Sequence, residues 1–253
     1  MEYTVEAVQE ALGVLMIVAH NPGLGVTEIA RRSGNTKART FRFLATLEQA
    51  SFVQRDKDAT TYSLGYIALA LGLAAQEQVS LTRLADKHMG LLQEKFNETV
   101  GVLVRDGLES VAVAQRECTH ELRVQGPLGR RRPLHAGATG KVLLAFAPPE
   151  IQERVLEGEL QKFTGRTIVS KTRLRQELKR IAEQGYAMSE GEIVPDVVAL
   201  SAPVFSASGQ AQAALAISLP ASRAPADFGR MVQAIVRSAA ELSAELGWRK
   251  PAA

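Results

Sequence analysis

The sequence has a single cysteine, Cys118, in 253 residues. That excludes an intrachain disulfide and accords with a reducing compartment. No run approaches the roughly 18 consecutive apolar residues that a membrane-spanning helix needs, so no membrane partner is expected. The first ten residues carry Glu2, Glu6 and Glu10, which is not signal-peptide chemistry, and the expected location is cytoplasmic. Excess charge is scarce as well. A formal net charge of +3 argues for no polyanion partner by itself, so basicity matters only where it is local.

Catalytic signatures are also missing. The run Gly137-Ala138-Thr139-Gly140-Lys141 looks like part of a phosphate loop, but that motif needs Gly, four residues, then Gly-Lys-Ser/Thr. Here His135 takes the first position and Val142 the last. No nucleophile elbow and no His-Glu-x-x-His pattern occurs. His20, His88, His120 and His135 are scattered, and Cys118 with His120 lacks a second pair. Neither a metal nor a cofactor is expected. Glu190 and Glu192 fall on one side of a strand, a pair better read as a solvated strand end than as an acid–base couple.

What is present is concentrated between Val26 and Leu64. Thr27 to Arg32 reads as a short helix with Ile29 and Ala30 on one side, stopped by the turn Ser33-Gly34. A second helix runs from Thr36 to about Gln49, with Asn35 placed to cap it. Thr40, Phe41, Leu44 and Leu47 recur at three- and four-residue steps and predict its buried face. Ala38, Arg39, Arg42 and Thr46 predict the outward one. Two short helices about a Gly-containing turn form a helix-turn-helix, whose second helix enters the major groove. Phe52–Arg55 and Thr60–Leu64, around the turn Asp56–Ala59, predict a hairpin that serves as a wing. The alternative is an ordinary helical pair with solvated arginines. Against it, Arg31, Arg32, Lys37, Arg39, Arg42 and Arg55 face only Glu28 and Glu48 between Val26 and Arg55, which favours double-stranded DNA as the partner.

The remainder supplies two domains' worth of pattern. Val8, Leu12, Leu15, Met16 and Ala19 predict a first helix with a buried stripe, ended by Asn21-Pro22-Gly23. Residues 1–65 are thus expected to form a winged helix-turn-helix, 66–79 a linker helix that pairs with another chain, and 80–250 a second domain. In that domain Leu81–Phe96 reads as a helix, followed by strands Thr99–Val104 and Ser110–Ala114 and a third at Glu121–Gln125. A loop, Gly126–Pro133, leads to a helix from Thr139 to Phe146. Another begins at Pro148-Pro149, and Lys171–Gln184 has Leu174, Leu178 and Ile181 inward. Three strands follow (Gly185–Glu192, Val197–Phe205 and Gln210–Leu219), then a helix from Pro225 to about Leu246. The fold class is α+β.

Several stretches together resemble the IclR family of transcriptional regulators. They are Ala7-Val8 to Leu15, Thr27-Glu28-Ile29-Ala30, Phe41–Glu48 and Tyr62-Ser63-Leu64-Gly65. Gly129–Pro133, Leu134–Ala145, Phe163-Thr164, Thr167-Ile168, Ala202-Pro203-Val204 and the Ala240–Gly247 segment extend the likeness over nearly the whole chain. The resemblance implies a GAF-like effector-binding domain after the DNA-binding one. Carried over by position, the effector site would include Val124, Arg132, Ala138, Thr139, Ser189, Val197, Ala199 and Ser218. The amides of Ala138 and Thr139 would open a helix and favour an anionic group, which makes the expected effector a small organic acid.

Three departures from the family pattern stand out. Arg132 replaces the usual apolar residue, and either clamps an acidic effector bidentately or points to solvent beside Arg130 and Arg131. Asp196 and Ala199 stand where the family has Gly and Cys. Ala38 and Arg39 replace small hydroxyl residues, and Arg39 can reach guanine O6 and N7. Arg42 is assigned to base or phosphate; Thr36, Lys37, Arg55 and Lys57 are assigned to phosphate, which positions without specifying. One recognition helix covers few base pairs, so a homodimer on a pseudo-palindromic operator is expected, and the resemblance allows a homotetramer. Two rival readings remain at this point: a metabolic enzyme with an appended DNA-binding domain, and a scaffold that binds no ligand.

Overall fold

A computed structural model of the chain describes residues 4–56, 58–78 and 80–249. It divides into two compact units, residues 1–79 and 80–253.

The first unit runs α1 (Glu6–His20), β1 (Leu24–Gly25), α2 (Val26–Ser33), α3 (Lys37–Gln49), β2 (Val53–Arg55), β3 (Thr61–Leu64) and α4 (Tyr66–Gln78). Gly34 ends α2 at φ +71°, a left-handed cap that costs glycine little. Thr36, not Asn35, caps α3: its Oγ1 accepts from the Arg39 amide at 3.2 Å. In the wing, Asp56 Oδ1 accepts from the amides of Asp58 and Ala59, closing the tip. Strand β1, too short to show in the sequence pattern, pairs with the far side of β3, giving the order β1-β3-β2.

Val14, Val18, Ile29, Leu44, Leu47, Val53 and Tyr62 form the core of this unit. Two expected core stripes are corrected. On α3, Thr40, Leu44 and Leu47 are buried as their spacing requires, but Phe41 is 50% exposed. On α1, Val14 and Val18 face the core, while Val8, Leu12 and Met16 are about half exposed. The helix is apolar on two sides, and three short helices can cover only one. Helix α4 likewise leaves Tyr66, Leu69, Leu71 and Leu73 exposed.

Gly65 joins β3 to α4 where no side chain fits. A Cβ there would lie 2.2 Å from Ser51 O, and the Gly65 amide donates to Phe52 O at 2.8 Å. Gly65→Ala is therefore expected to destabilise the first unit by about 1–3 kcal/mol through overpacking against rigid backbone. Limited proteolysis would show faster cleavage within the first 65 residues, and an unchanged rate there refutes the steric argument.

The second unit runs α5 (Ser80–Phe96), β4 (Thr99–Asp106), β5 (Glu109–Arg116), β6 (Arg131–Pro133), α6 (Gly137–Ala145), α7 (Pro149–Glu157), α8 (Lys171–Gln184), β7 (Ala187–Glu190), β8 (Val197–Phe205), β9 (Ala211–Pro220) and α9 (Gly229–Glu245). The six strands make one antiparallel sheet in the order β6-β5-β4-β9-β8-β7. Glu121–Gln125 is not a strand. Side-chain bonds hold it instead: Thr99 Oγ1 donates to Val124 O at 2.8 Å, and the Arg123 and Gln125 side chains donate to Glu117. The edge strand beside β5 is β6, at the end of the expected loop.

Alternation along the strands separates two faces. Val100 and Val102 on β4, Leu200, Ala202 and Val204 on β8, and Leu215 and Ile217 on β9 pack with α5 and α9. The other face lies under α6, α7 and α8, where Leu143, Leu156, Leu174, Leu178 and Ile181 form a second cluster. On that face the alternate positions are small: Thr99 and Gly101 on β4, Ala199 on β8, Ala216 and Ser218 on β9. Small side chains beneath a helix layer leave room.

Candidate functional site

In the first unit the outward face of α3 carries Lys37, Ala38, Arg39 and Arg42, all exposed. Thr36 caps the same end, its hydroxyl oxygen accepting from the Arg39 amide. Arg55 ends β2, its guanidinium 6.0 Å from the Tyr62 ring centroid. Lys57 lies outside the described residues. Glu28, one of the two carboxylates in this stretch, bonds both Arg31 and Arg32, at 2.7–2.9 Å. Those hydrogen bonds bring the Glu28 carboxyl down to about 2, so it stays ionised and cancels one cation. Among the described residues, Lys37 and Arg42 have no ionic partner, whereas Arg39 Nη2 meets Glu10 Oε2 at 2.5 Å.

In the second unit the room left by the small residues is a cavity of about 190 Å³ between the sheet, the start of α6, and residues 192–194. Three positive features reach it. Strand β6 sends Arg131 and Arg132 to opposite sides. Arg131 pairs with Asp106 and Glu109, while Arg132 lines the cavity with its guanidinium 5.7 Å from the Phe163 ring centroid. Arg130 also lines it. The third feature is the amino-terminal turn of α6.

That turn is partly occupied by the protein itself. The Gly137 amide donates to Glu192 Oε2 at 3.1 Å, and the Ala138 amide to Ser189 Oγ at 3.0 Å. Glu192 is not a solvated strand end, then. It lies beyond β7, 7% exposed, with its other oxygen 2.5 Å from Lys141 Nζ. Lys141 is 1% exposed and also reaches Glu177 at 3.3 Å; Glu177 in turn pairs with Arg180 at 2.9 Å. Burial raises the Glu177 carboxyl, but Arg180's hydrogen bonds and the Lys141 and Arg180 charges outweigh it and hold it below the usual range. Glu190 is exposed and lies 3.6 Å from Arg166, so the two carboxylates do not act as a pair. Two threonines fasten the rim: Thr164 Oγ1 donates to Gly191 O and Thr167 Oγ1 to Glu192 O, each at 2.6 Å.

Comparison with known proteins identifies the family of both units. The IclR helix-turn-helix domain model matches residues 7–57. The model for the bacterial transcriptional regulator IclR C-terminal region matches residues 73–244. The chain belongs to the IclR family. It is 31% identical to the HTH-type transcriptional regulator KdgR of Escherichia coli (strain K12) over 247 residues, 97% of this chain and 94% of that one. An IclR transcriptional regulator from Alicyclobacillus acidocaldarius superposes with a TM-score of 0.89 at 28% identity, covering 97% of this chain and 100% of that chain. An IclR homologue from Microbacterium hydrocarbonoxydans, complexed with 4-hydroxybenzoate, shares the fold at a TM-score of 0.83 and 22% identity, over 95% and 99% of the two chains.

As an IclR-family member the protein is a DNA-binding transcriptional regulator with a carboxy-terminal effector-binding domain. Its relatives offer no support for the enzyme alternative. The structure brings all eight residues carried over from the family resemblance (Val124, Arg132, Ala138, Thr139, Ser189, Val197, Ala199 and Ser218) to the lining of this cavity. One expected role changes: the Ala138 amide is already taken by Ser189, so it is not free for an anion. Sequence reading missed Thr99, Gly101, Glu192 and Ile193 in the lining. The small-residue alternation in β4 and β9 was the available signal for the first two. Asp196 adopts φ +59°, a conformation that Asp tolerates better than most residues.

Proposed function

We propose that this regulator binds a pseudo-palindromic operator as a homodimer, and that a small organic acid in the cavity alters that binding without being turned over. The charge balance of the cavity carries the reading. Glu192, the carboxylate in its lining, is matched by buried Lys141, and among the described residues no carboxylate pairs with Arg132. The cationic surplus favours an anionic ligand, and the small apolar members of the lining supply its contact surface. The dimer rests on the exposed apolar faces of α1 and α4, which a second copy would cover, and on the two-fold symmetry that paired half-sites require. Pairing of such dimers would give the tetramer. Cytoplasmic action fits DNA as a partner. Among the described residues no helix is long and apolar enough to cross a membrane. Ligand control requires that the acid bind the DNA-competent arrangement and its alternative with different affinity.

The test is binding to the DNA upstream of the protein's own gene, with and without a panel of small aliphatic and aromatic acids. Altered binding with one acid supports the proposal, and no binding at low salt, where phosphate contacts are strongest, refutes it. On the DNA side, Arg39→Ala is expected to cost about 1–3 kcal/mol and relax preference at one base pair. Lys37→Ala is expected to weaken all sequences alike. Uniform loss across operator variants with Arg39→Ala would remove its base-reading role.

A further inference from the structure

The arginine assigned to a base is already held by the protein. Arg39 Nη2 lies 2.5 Å from Glu10 Oε2, an ion pair between α3 and α1. The Arg39 guanidinium also sits 5.8 Å from the Phe43 ring centroid. The Glu10 side chain is 24% exposed, and its Oε2 is closed off from water. Among the described residues Lys37 and Arg42, on the same face, have no carboxylate. Glu10 therefore acts on one cation of the DNA-facing surface and leaves its neighbours free.

We infer that Glu10 is a positioning residue that makes Arg39 selective. A free guanidinium on this face would meet any phosphate, adding affinity without sequence preference. Paired with Glu10, Arg39 loses much of that nonspecific attraction, because the carboxylate cancels its charge. The contact is one of charge, since Glu10 Oε2 accepts no hydrogen bond, so guanidinium N–H groups remain that can meet the O6 and N7 acceptors of a guanine. The pair thus weakens the nonspecific complex more than the specific one, and specificity is that difference. The inference rests on Arg39 reading a base.

The experiment compares the full-length protein with Glu10→Gln, Arg39→Ala and the double variant. Fluorescence anisotropy measures binding to the upstream operator fragment and to a scrambled duplex of equal length, across a salt series. Glutamine keeps the shape of Glu10, and matching thermal unfolding checks the fold. Glu10→Gln is expected to tighten the scrambled duplex by close to tenfold near 0.1 M salt, the effect of about one added phosphate contact. The operator should change by less than threefold (about the effect of one partial contact). In the Arg39→Ala background Glu10→Gln should leave the specificity ratio unchanged. Equal gains in both backgrounds would mean that Glu10 acts only as surface charge, and an unchanged ratio for Glu10→Gln would mean that it has no role; either overturns the inference. Should Arg39→Ala itself keep the wild-type ratio, the base-reading role fails first, and the inference falls with it.

Discussion

Lys141→Met is expected to destabilise the second domain by about 3–5 kcal/mol, the usual cost of leaving one member of a buried ion pair without its partner. Lys141 is 1% exposed and serves two carboxylates, Glu192 at 2.5 Å and Glu177 at 3.3 Å. Glu177 retains Arg180 when the lysine is gone. Glu192 retains only the Gly137 amide, so the orphan charge falls there. Methionine is similar in volume, which separates the electrostatic loss from a cavity. Adding Glu192→Gln should recover more than half of the loss, since glutamine still accepts from Gly137 but carries no charge. The protein contains its own probe. Trp248, the one tryptophan, stacks on Phe205 at 4.8 Å, and Phe205 meets Phe146, just after α6, edge-on at 5.4 Å. Urea unfolding followed by Trp248 fluorescence thus reports the domain that holds Lys141. A midpoint unmoved by Lys141→Met, or a double variant no more stable than the single one, would show that the pair is not what keeps α6 in place.

That ion pair marks where the sequence stopped being readable. Helix α8 could be read directly, because Leu174, Leu178 and Ile181 at four- and three-residue steps sit between charged residues and allow one orientation. The helix-turn-helix was legible for the same reason, with Gly34 as punctuation. Helix α6 is apolar almost all round, so periodicity gave it no direction, and nothing local distinguishes Lys141 on it from a solvated lysine. Its partner lies 51 residues away. The stripe on α1 was misjudged through a related ambiguity: two apolar faces compete for one core, and the sequence does not say that Val14 and Val18 take it. The cavity lining came through family resemblance rather than pattern. Its physical signature, small residues alternating with large aliphatic ones in β4 and β9, becomes decisive only once the sheet order sets those strands side by side.

Arg132→Leu is expected to weaken the acid found in the operator screen by about 10- to 150-fold, the equivalent of about 1.5–3 kcal/mol for hydrogen bonds to a charged group. The loss should be specific. Arg131, one residue away, points to the other face and is committed to Asp106 and Glu109. Arg130 is exposed in the preceding loop, so Arg130→Leu should cost less. Fold is not at stake, because among the described residues the Arg132 side chain contributes only its contact with Phe163, worth about 0.5–1 kcal/mol at a partly exposed site, and its backbone bond from Ser110 survives the substitution. The decisive comparison is the acid against its uncharged amide by calorimetry. Wild-type protein should prefer the acid, and the leucine variant should lose most of that preference, since the guanidinium that chiefly distinguishes them is gone. An acid bound equally well by both proteins would place Arg132 outside the recognition chemistry. Its charge would then serve only the rim, and the anion would be held by the α6 amino terminus, at the Thr139 amide, with Ser189 already committed to Ala138.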